Sequence, residues 1–339
     1  MKPKHLFQAI FLLCLIVGTV FILHRHQSLQ LQYSQGPIFG TTYHMEYEYT
    51  QPLDSLILCE LQAVDHSLSM FNESSTLSRI NNNTSDATDA MFRDVFTIAE
   101  NVASQTDGAY DVTVAPLVNA WGFGLKSNTI LTTEQIDSIM AFVGYQKVRL
   151  SGNRLVKDDP RIMLDFSSVA KGYAVDCVAH LFDSLGIANY MIEIGGEVIV
   201  RGLHPDNRPW KIGVNKPSDS IANQLQTTLT LTNVAMATSG NYRRFYVKDG
   251  RRYAHTIDPH TGYPVQHELL SATVLAPDCA TADAFATAFM SMGMEKSRKL
   301  LANHKELSAY FIYSTPNGEY ATWATDNMKK YLHDTSSTP

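Results

Sequence analysis

The sequence predicts an α+β protein. Strand-forming and helix-forming segments are interspersed without the regular strand–helix–strand alternation of a parallel sheet. Of 339 residues, 45% are hydrophobic and 18% charged, an ordinary globular composition with ample material for a core. That length holds one large domain or two closely joined ones. The formal net charge is −6 and no long Lys/Arg run follows the N-terminus, so nucleic-acid binding has little support.

The N-terminus reads as separate from the fold. Lys2, Lys4 and His5 precede an uncharged run of 18 residues, Leu6 to Leu23, closed by His24-Arg25-His26. Such a run is at the lower limit for a membrane span and long for the apolar part of a signal peptide. No small-x-small cleavage site follows. Phe11-Leu12-Leu13 ahead of Cys14 lacks the small residue of a lipoprotein signal. Residues 1–26 are therefore read as an uncleaved signal anchor, with a cleaved peptide as the alternative. The basic residues in front favour a cytoplasmic N-terminus and an exported body, with Arg25 counting the other way. Residues 27–36, polar and Gln/Ser-rich, read as a tether, 37–332 as the folded domain and 333–339 as a polar tail.

Thr41 to Tyr49 has strand composition, and Leu53 to Met70 is helical, with Leu56, Leu61, Val64 and Leu68 on one side. Asn81 to Asp89 is a loop of turn formers, and Ala90 to Thr106 a second helix. Short alternating runs at Val148 to Leu150, Arg154 to Val156 and Ile162 to Leu164 suggest a hairpin and its continuation. Ser168 to Leu185 is a helix. Strands follow at Tyr190 to Ile194, Glu197 to Arg201, Trp210 to Val214 and Gln226 to Leu231. Phe245 to Val247 and Tyr253 to Ile257 pair as a hairpin, and Ser271 to Leu275 is a strand. A helix begins after Asp278, and a C-terminal strand pair lies near Ala309 to Tyr313 and Tyr320 to Trp323. Cys59, Cys177 and Cys279 show no metal spacing and read as small core residues.

Several segments carry polar groups in patterns that suit chemistry. In Thr281-Ala282-Asp283-Ala284-Phe285-Ala286-Thr287, Asp283 and Thr287 stand four residues apart and share one helical face. A carboxylate beside a hydroxyl on an apolar helix is half a site for a hard cation such as Mg2+; a capped core helix is the bland alternative. Leu164-Asp165-Phe166-Ser167-Ser168-Val169-Ala170-Lys171-Gly172 reads as a strand entering a helix. Lys171 opposes the dipole there, which suggests an anionic partner, or else a solvated lysine. Glu193-Ile194-Gly195-Gly196-Glu197 is a paired glycine between strands. Thr238 to Arg244 combines hydroxyls, glycine and arginines, as anion sites and solvated loops both do. His255 precedes the turn Asp258-Pro259-His260-Thr261-Gly262 and could move protons near neutral pH, although any single one of 12 histidines is more often structural. Trp121 and Phe123, in Asp111 to Gly124, could stack on a planar ring or fill the core.

Taken in order, these segments resemble the ApbE family, the FAD:protein FMN transferases, from Gly40 to about Tyr331. The landmarks are Gly40-Thr41, FNESSTLSRIN, DVTVAPLVNAWGFG, LDFSSVAKGYAVD, IEIGGEV, ATSGNYRRFY, HTIDPHTGYP and TADAFAT. The resemblance implies a mixed sheet-and-helix fold, with FAD in a cleft between two subdomains and an N-terminal membrane anchor ahead of it. It implies Mg2+-dependent transfer of the FMN half of FAD to a Thr or Ser hydroxyl of an acceptor protein, with release of AMP. The acceptor would carry a Ser/Thr-Gly-Ala-Ser/Thr-like motif in a subunit of a membrane redox complex. The enzyme would be tethered to the inner membrane with its body on the periplasmic side. The metal falls to Asp283 and Thr287 with an oxygen of Ser168. Flavin-nucleotide contacts fall to Asp165 and Lys171, and also to Phe39, Ser69, Met70, Phe71, Ala120, Trp121, Gly122 and Ile257. His255 matches the histidine that assists transfer. Phe39 stands where many relatives have Met, and Ala286 where some carry a second acid. An FAD pyrophosphatase and a non-catalytic flavin-binding protein are the rival readings.

Overall fold

The structure, a computed structural model, describes residues 8, 11–19, 29–123, 131–216, 225–241, 245–248 and 251–332, with backbone alone at 245–248 and 251–253. Most of the signal-anchor reading, Gly124 and the arginines of ATSGNYRRFY lie outside the described residues. Among the described residues no helix is long and apolar enough to cross a membrane.

Residues 11–19 are helical, and the folded body then opens with the antiparallel pair β1 (Gln30–Ile38) and β2 (Thr41–Tyr49). Helices α1 (Asp54–Leu68), α2 (Thr76–Asn81), α3 (Ala90–Gln105), α4 (Ala115–Ala120) and α5 (Thr133–Met140) follow. The small hairpin β3 (Val148–Ser151) and β4 (Arg154–Lys157) leads to α6 (Ala170–Ser184). Then come β5 (Tyr190–Ile194), β6 (Glu197–Arg201), β7 (Trp210–Asn215), β8 (Leu225–Leu231), β9 (Val234–Gly240), β10 (Phe245–Lys248), β11 (Arg251–Ala254) and β12 (Leu269–Ala276). The long helix α7 (Cys279–Leu301), strands β13 (Ser308–Ser314) and β14 (Tyr320–Ala324), and the short α8 (Asp326–Lys329) complete it. Eight strands form one sheet in the order β1-β2-β5-β6-β9-β12-β13-β14, every neighbour antiparallel. This is the α+β architecture expected from the sequence.

The main core lies between one face of this sheet and helices α1, α3, α6 and α7. Strand β2 reads TTYHMEYEY and buries Tyr43, Met45 and Tyr47 at every second position, as a strand with one core face must. In α1 the buried stripe is Ile57, Leu61, Val64 and Leu68, the helical repeat of one face. Leu56, expected on that stripe, lies one residue off it and is 47% exposed. Helix α7 is capped by Asp278, whose carboxylate accepts from the Thr281 amide. Its alanines 280, 282, 284, 286 and 288 are fully buried, so the helix backbone comes close to its neighbours. Phe289 and Phe311 meet edge to face at 5.5 Å and tie the helix to β13. At Gly293 (φ 72°, ψ 179°) the helix kinks, and the His267 ring donates through Nε2 to the Met290 carbonyl there. A second cluster, with Trp210, Leu229, Leu231 and Met328, packs between the other face of the sheet and the β7–β8 ribbon.

Four local readings are corrected. Residues 27–36 do not all form a tether: from Gln30 the segment is β1, and its polar composition suits an edge strand with one paired neighbour. Ile162 to Leu164 forms no strand; Asn81 occupies its backbone instead, donating to the Leu164 carbonyl and accepting the Leu164 amide, both at 2.8 Å. The β10–β11 hairpin ends at Ala254, before His255. Cys59 is exposed on α1, outside the core.

Candidate active site

Two glycine contacts determine where the polar groups meet. A Cβ on Gly172 would lie 2.4 Å from the Cys279 carbonyl oxygen, so α6 and α7 touch through their backbones. The Gly172 amide then donates to Asp283 Oδ2 at 3.2 Å. One turn further along α6, the Asp176 carboxylate accepts the Cys279 and Ala280 amides, each at 2.8 Å. These are first-turn amides of α7, which lack helical partners, so a carboxylate there satisfies them. Burial pushes the Asp176 carboxyl up to about 7, against the pull of those two amides.

The second contact is the β5–β6 turn. Gly195 (φ 65°) and Gly196 (φ 108°) both take positive φ, as a two-residue hairpin turn demands. A Cβ on Gly195 would meet Thr41 at 2.9 Å and the Lys171 stem at 3.4 Å. Lys171 is thereby held between the turn and α7. Its Nζ sits 2.8 Å from Glu197 Oε1 and 3.8 Å from Asp283 Oδ2. Both carboxylates are almost wholly buried, at 2% and 4% exposure. Burial opposes the Lys171 charge, but Asp283 and Glu197 outweigh it and raise its pKa. Burial likewise drives the Asp283 and Glu197 carboxyls up, with Lys171 pulling the other way.

Hydroxyls line the elements packed against α7. Thr287 lies one turn beyond Asp283 and its hydroxyl is 3.5 Å from that of Ser239 on β9. Thr238 and Thr273 bond each other across β9 and β12 at 2.9 Å. Ser168, just before α6, donates to the Tyr110 hydroxyl at 3.1 Å, and burial raises that phenol's pKa. Asp165 precedes it, its amide tied to the Val112 carbonyl and its carboxylate accepting from the Ser167 amide. Among the described residues, no group of three or more His, Cys, Asp and Glu side chains comes together to hold a metal ion.

The aromatic residues form a separate neighbourhood. Trp121, at the end of α4, is buried and donates through Nε1 to the Gly262 carbonyl at 2.8 Å. Ile257 packs in the same cluster, and its backbone bridges Pro264 across the turn. The Asp258 amide donates to the Tyr263 carbonyl, and the Gly262 amide to the Asp258 carbonyl. Between them these bonds close the turn expected from Asp258-Pro259-His260-Thr261-Gly262. His260 Nε2 donates to the Asp107 carbonyl at 2.7 Å and ties the turn to the end of α3. His255 leads into this turn, its ring 6.5 Å from that of Phe123 in an edge-on arrangement. Ala120 ends α4, and Gly122 (φ 81°) turns the chain after Trp121.

Phe39 and Gly40 form the β1–β2 turn with φ values of 50° and 72°. Left-handed backbone at a phenylalanine is uncommon and places Phe39 just before the Thr41 that packs at Gly195. Ser69, Met70 and Phe71 follow α1. The Ser69 hydroxyl accepts the Phe71 and Asn72 amides, Met70 packs on the core, and Phe71 is 75% exposed.

Of the residues singled out in the sequence, Lys171, Asp283, Thr287 and Ser168 lie around the junction of α6 and α7, and Trp121, Gly122, Ile257 and His255 around α4 and the turn. Glu197, Asp176 and Tyr110 received no role from the sequence, and Ser239 only as one hydroxyl of the Thr238 to Arg244 segment. Glu197 carried one signal: a lone charge opening the apolar strand Glu197-Val198-Ile199-Val200.

The ApbE family model matches residues 39–311. The FAD:protein FMN transferase of Vibrio cholerae is 38% identical over 309 residues, covering 88% of this chain and 91% of the relative. The protein of the same name from Haemophilus influenzae is 38% identical over 312 residues, covering 87% and 90%. Among solved structures, the flavin transferase ApbE from Vibrio cholerae superposes with a TM-score of 0.81 at 36% identity, covering 90% of this chain and all of that one. The apo flavinyl transferase ApbE of Pseudomonas stutzeri gives a TM-score of 0.81 at 31% identity, over 90% and 98%. The backbone closeness of α6 and α7, the paired-glycine turn and the bridged His255 turn all fall within the matched span, and the chain belongs to the ApbE family.

Proposed function

We propose that this protein transfers the FMN half of FAD to a Thr or Ser hydroxyl of an acceptor protein, releasing AMP, with Mg2+ at Asp283 and Thr287. The observation that carries the reading is the Lys171–Glu197–Asp283 group, with both carboxylates buried, beside Thr287, within a fold shared along nearly its whole length with flavin transferases.

The donor set fits the ion. Asp283 contributes a buried carboxylate; Thr287 and Ser168 contribute neutral oxygens. All are hard ligands, and Mg2+ commonly completes such a partial shell with water and substrate phosphate. When bound, Mg2+ supplies Lewis-acid stabilisation to the pyrophosphate oxygens. Lys171 adds a fixed positive charge for the phosphoryl oxygens, held in place before the substrate arrives. The planar ring system is met by Trp121, Gly122 and Ile257, with Phe39, Ser69 to Phe71, Ala120 and Asp165 as further contacts. Transfer forms a bond from the acceptor hydroxyl oxygen to the FMN phosphorus and breaks that phosphorus's bond to the bridging oxygen, which departs with AMP. The hydroxyl proton passes to His255 as general base. The acceptor is a Ser/Thr-Gly-Ala-Ser/Thr-like segment of a membrane redox subunit. The basic and apolar N-terminal segment supports export and anchoring of the body on the periplasmic side.

The test is AMP release with FAD in excess, titrated with Mg2+, in wild type and Asp283→Ala. Mg2+-dependent AMP that requires both Asp283 and an acceptor supports the transferase. AMP independent of the acceptor makes the protein a pyrophosphatase. FAD bound with no AMP under any condition leaves a flavin-binding protein.

A further inference from the structure

Glu197 is a buried carboxylate with half of its bonding capacity unused. Its Oε1 pairs with Lys171 at 2.8 Å, while its Oε2 is buried and has no hydrogen-bond partner. An ion pair made by so deeply buried a carboxylate is weak support for stability, because its desolvation offsets the attraction to the partly exposed Lys171. An orphaned buried oxygen adds a further cost. The pair therefore calls for a role other than holding the fold together.

The geometry around Lys171 supplies one. Lys171 Nζ is within hydrogen-bond reach of Glu197 but stands 3.8 Å from Asp283 Oδ2. The Gly195 turn confines the lysine stem from the other side. Asp283 is the second buried anion within ion-pair distance of Lys171. Without Glu197, Coulomb attraction would draw the ammonium onto Asp283, the carboxylate offered to the cation. The three formal charges sum to −1 with Glu197 present, a balance that admits a divalent cation. Without Glu197 they sum to zero.

We propose that Glu197 is a positioning residue for the cation site: its ion pair with Lys171 keeps the ammonium from occupying Asp283, so that carboxylate stays available to the divalent ion. This rests on the Mg2+ reading above and is tested so that the two can fail separately. Full-length protein saturated with FAD, without acceptor, is titrated with Mn2+ and bound ion is counted by electron paramagnetic resonance. Glu197→Gln, which preserves shape, is expected to weaken Mn2+ binding about tenfold, the scale of a buried charge entering direct contact with a carboxylate. Against a Lys171→Met background the same change is expected to cost less than about threefold, because the competitor is gone. Equal losses in both backgrounds would mean that Glu197 acts through its own charge, and no loss in wild type would mean that it does not act at all; either overturns the proposal. Should Glu197→Gln alone fail to fold, the comparison of Lys171→Met with the double variant decides: a tenfold gap between them overturns it, and near-equality supports it. Wild-type protein that binds no Mn2+, or Asp283→Ala that binds it as wild type does, would instead reject the cation reading itself.

Discussion

Gly172→Ala adds one methyl group at the α6–α7 contact and tests how the site is assembled. The new Cβ would lie 2.4 Å from the Cys279 carbonyl oxygen, 2.6 Å from its carbon and 2.8 Å from Ala280 Cα. All three are backbone atoms, so no side chain can swing aside. Ordinary contact begins near 3.4 Å, so the helices must separate by about 1 Å or shift along each other. That movement acts on the Gly172–Asp283 bond, already 3.2 Å, and on both Asp176 bonds to the start of α7. Overpacking of a tight core costs about 1–3 kcal/mol. A displacement of about 1 Å at Asp283, the carboxylate proposed for the metal, costs on the order of a hundredfold in rate. Urea unfolding gives the first quantity, and the initial rate of flavin incorporation at saturating FAD gives the second. A Gly172→Ala protein within about 0.5 kcal/mol and threefold of wild type would refute the claim that backbone contact here sets the site.

Other outcomes follow from the same geometry. Asp283→Ala is expected to lose cation binding and transfer together, measured by calorimetry and AMP release; metal binding retained with transfer intact would remove Asp283 from the site. His255→Ala is expected to keep FAD affinity and lose about 10²- to 10⁴-fold in rate, as removal of a general base does; a change confined to FAD affinity would assign His255 to binding. Asp176 titrates near pH 7 when folded and near 4 when unfolded, so between those values the folded state holds a proton the unfolded state lacks. Its contribution to stability therefore falls as pH rises from about 4 to about 7 and is level above that. Urea midpoints across that window should show the decline in wild type and less of it in Asp176→Asn; parallel curves would contradict the buried, protonated carboxyl.

Much of the fold could be read from periodicity. Thr41 to Tyr49 became β2 at the expected bounds, and the apolar alanine-rich run after Asp278 became α7 from the expected start, although that helix runs on to Leu301. Misreadings arose where tertiary contact overrides composition. Gln30 to Ile38 is polar because it is an edge strand, and Leu164 lacks a strand partner because Asn81 bonds both its backbone groups. In the site, Asp283 and Thr287 were visible because they interrupt an apolar helix at a four-residue spacing. Glu197 was not, since its importance comes from Lys171, which is 26 residues away in sequence and 2.8 Å away in space. Asp176 escaped for the same reason: its partners are the first amides of a helix more than a hundred residues later.

The most direct test of the central claim mixes the protein with FAD, Mg2+ and an acceptor domain bearing a Ser/Thr-Gly-Ala-Ser/Thr segment. The acceptor is resolved by denaturing electrophoresis, its flavin fluorescence recorded and AMP quantified in the same reaction. The account predicts a fluorescent acceptor band with AMP in equal amount, both lost in Asp283→Ala. AMP and free FMN beside a dark acceptor, from a domain that a known flavin transferase does modify, would contradict it.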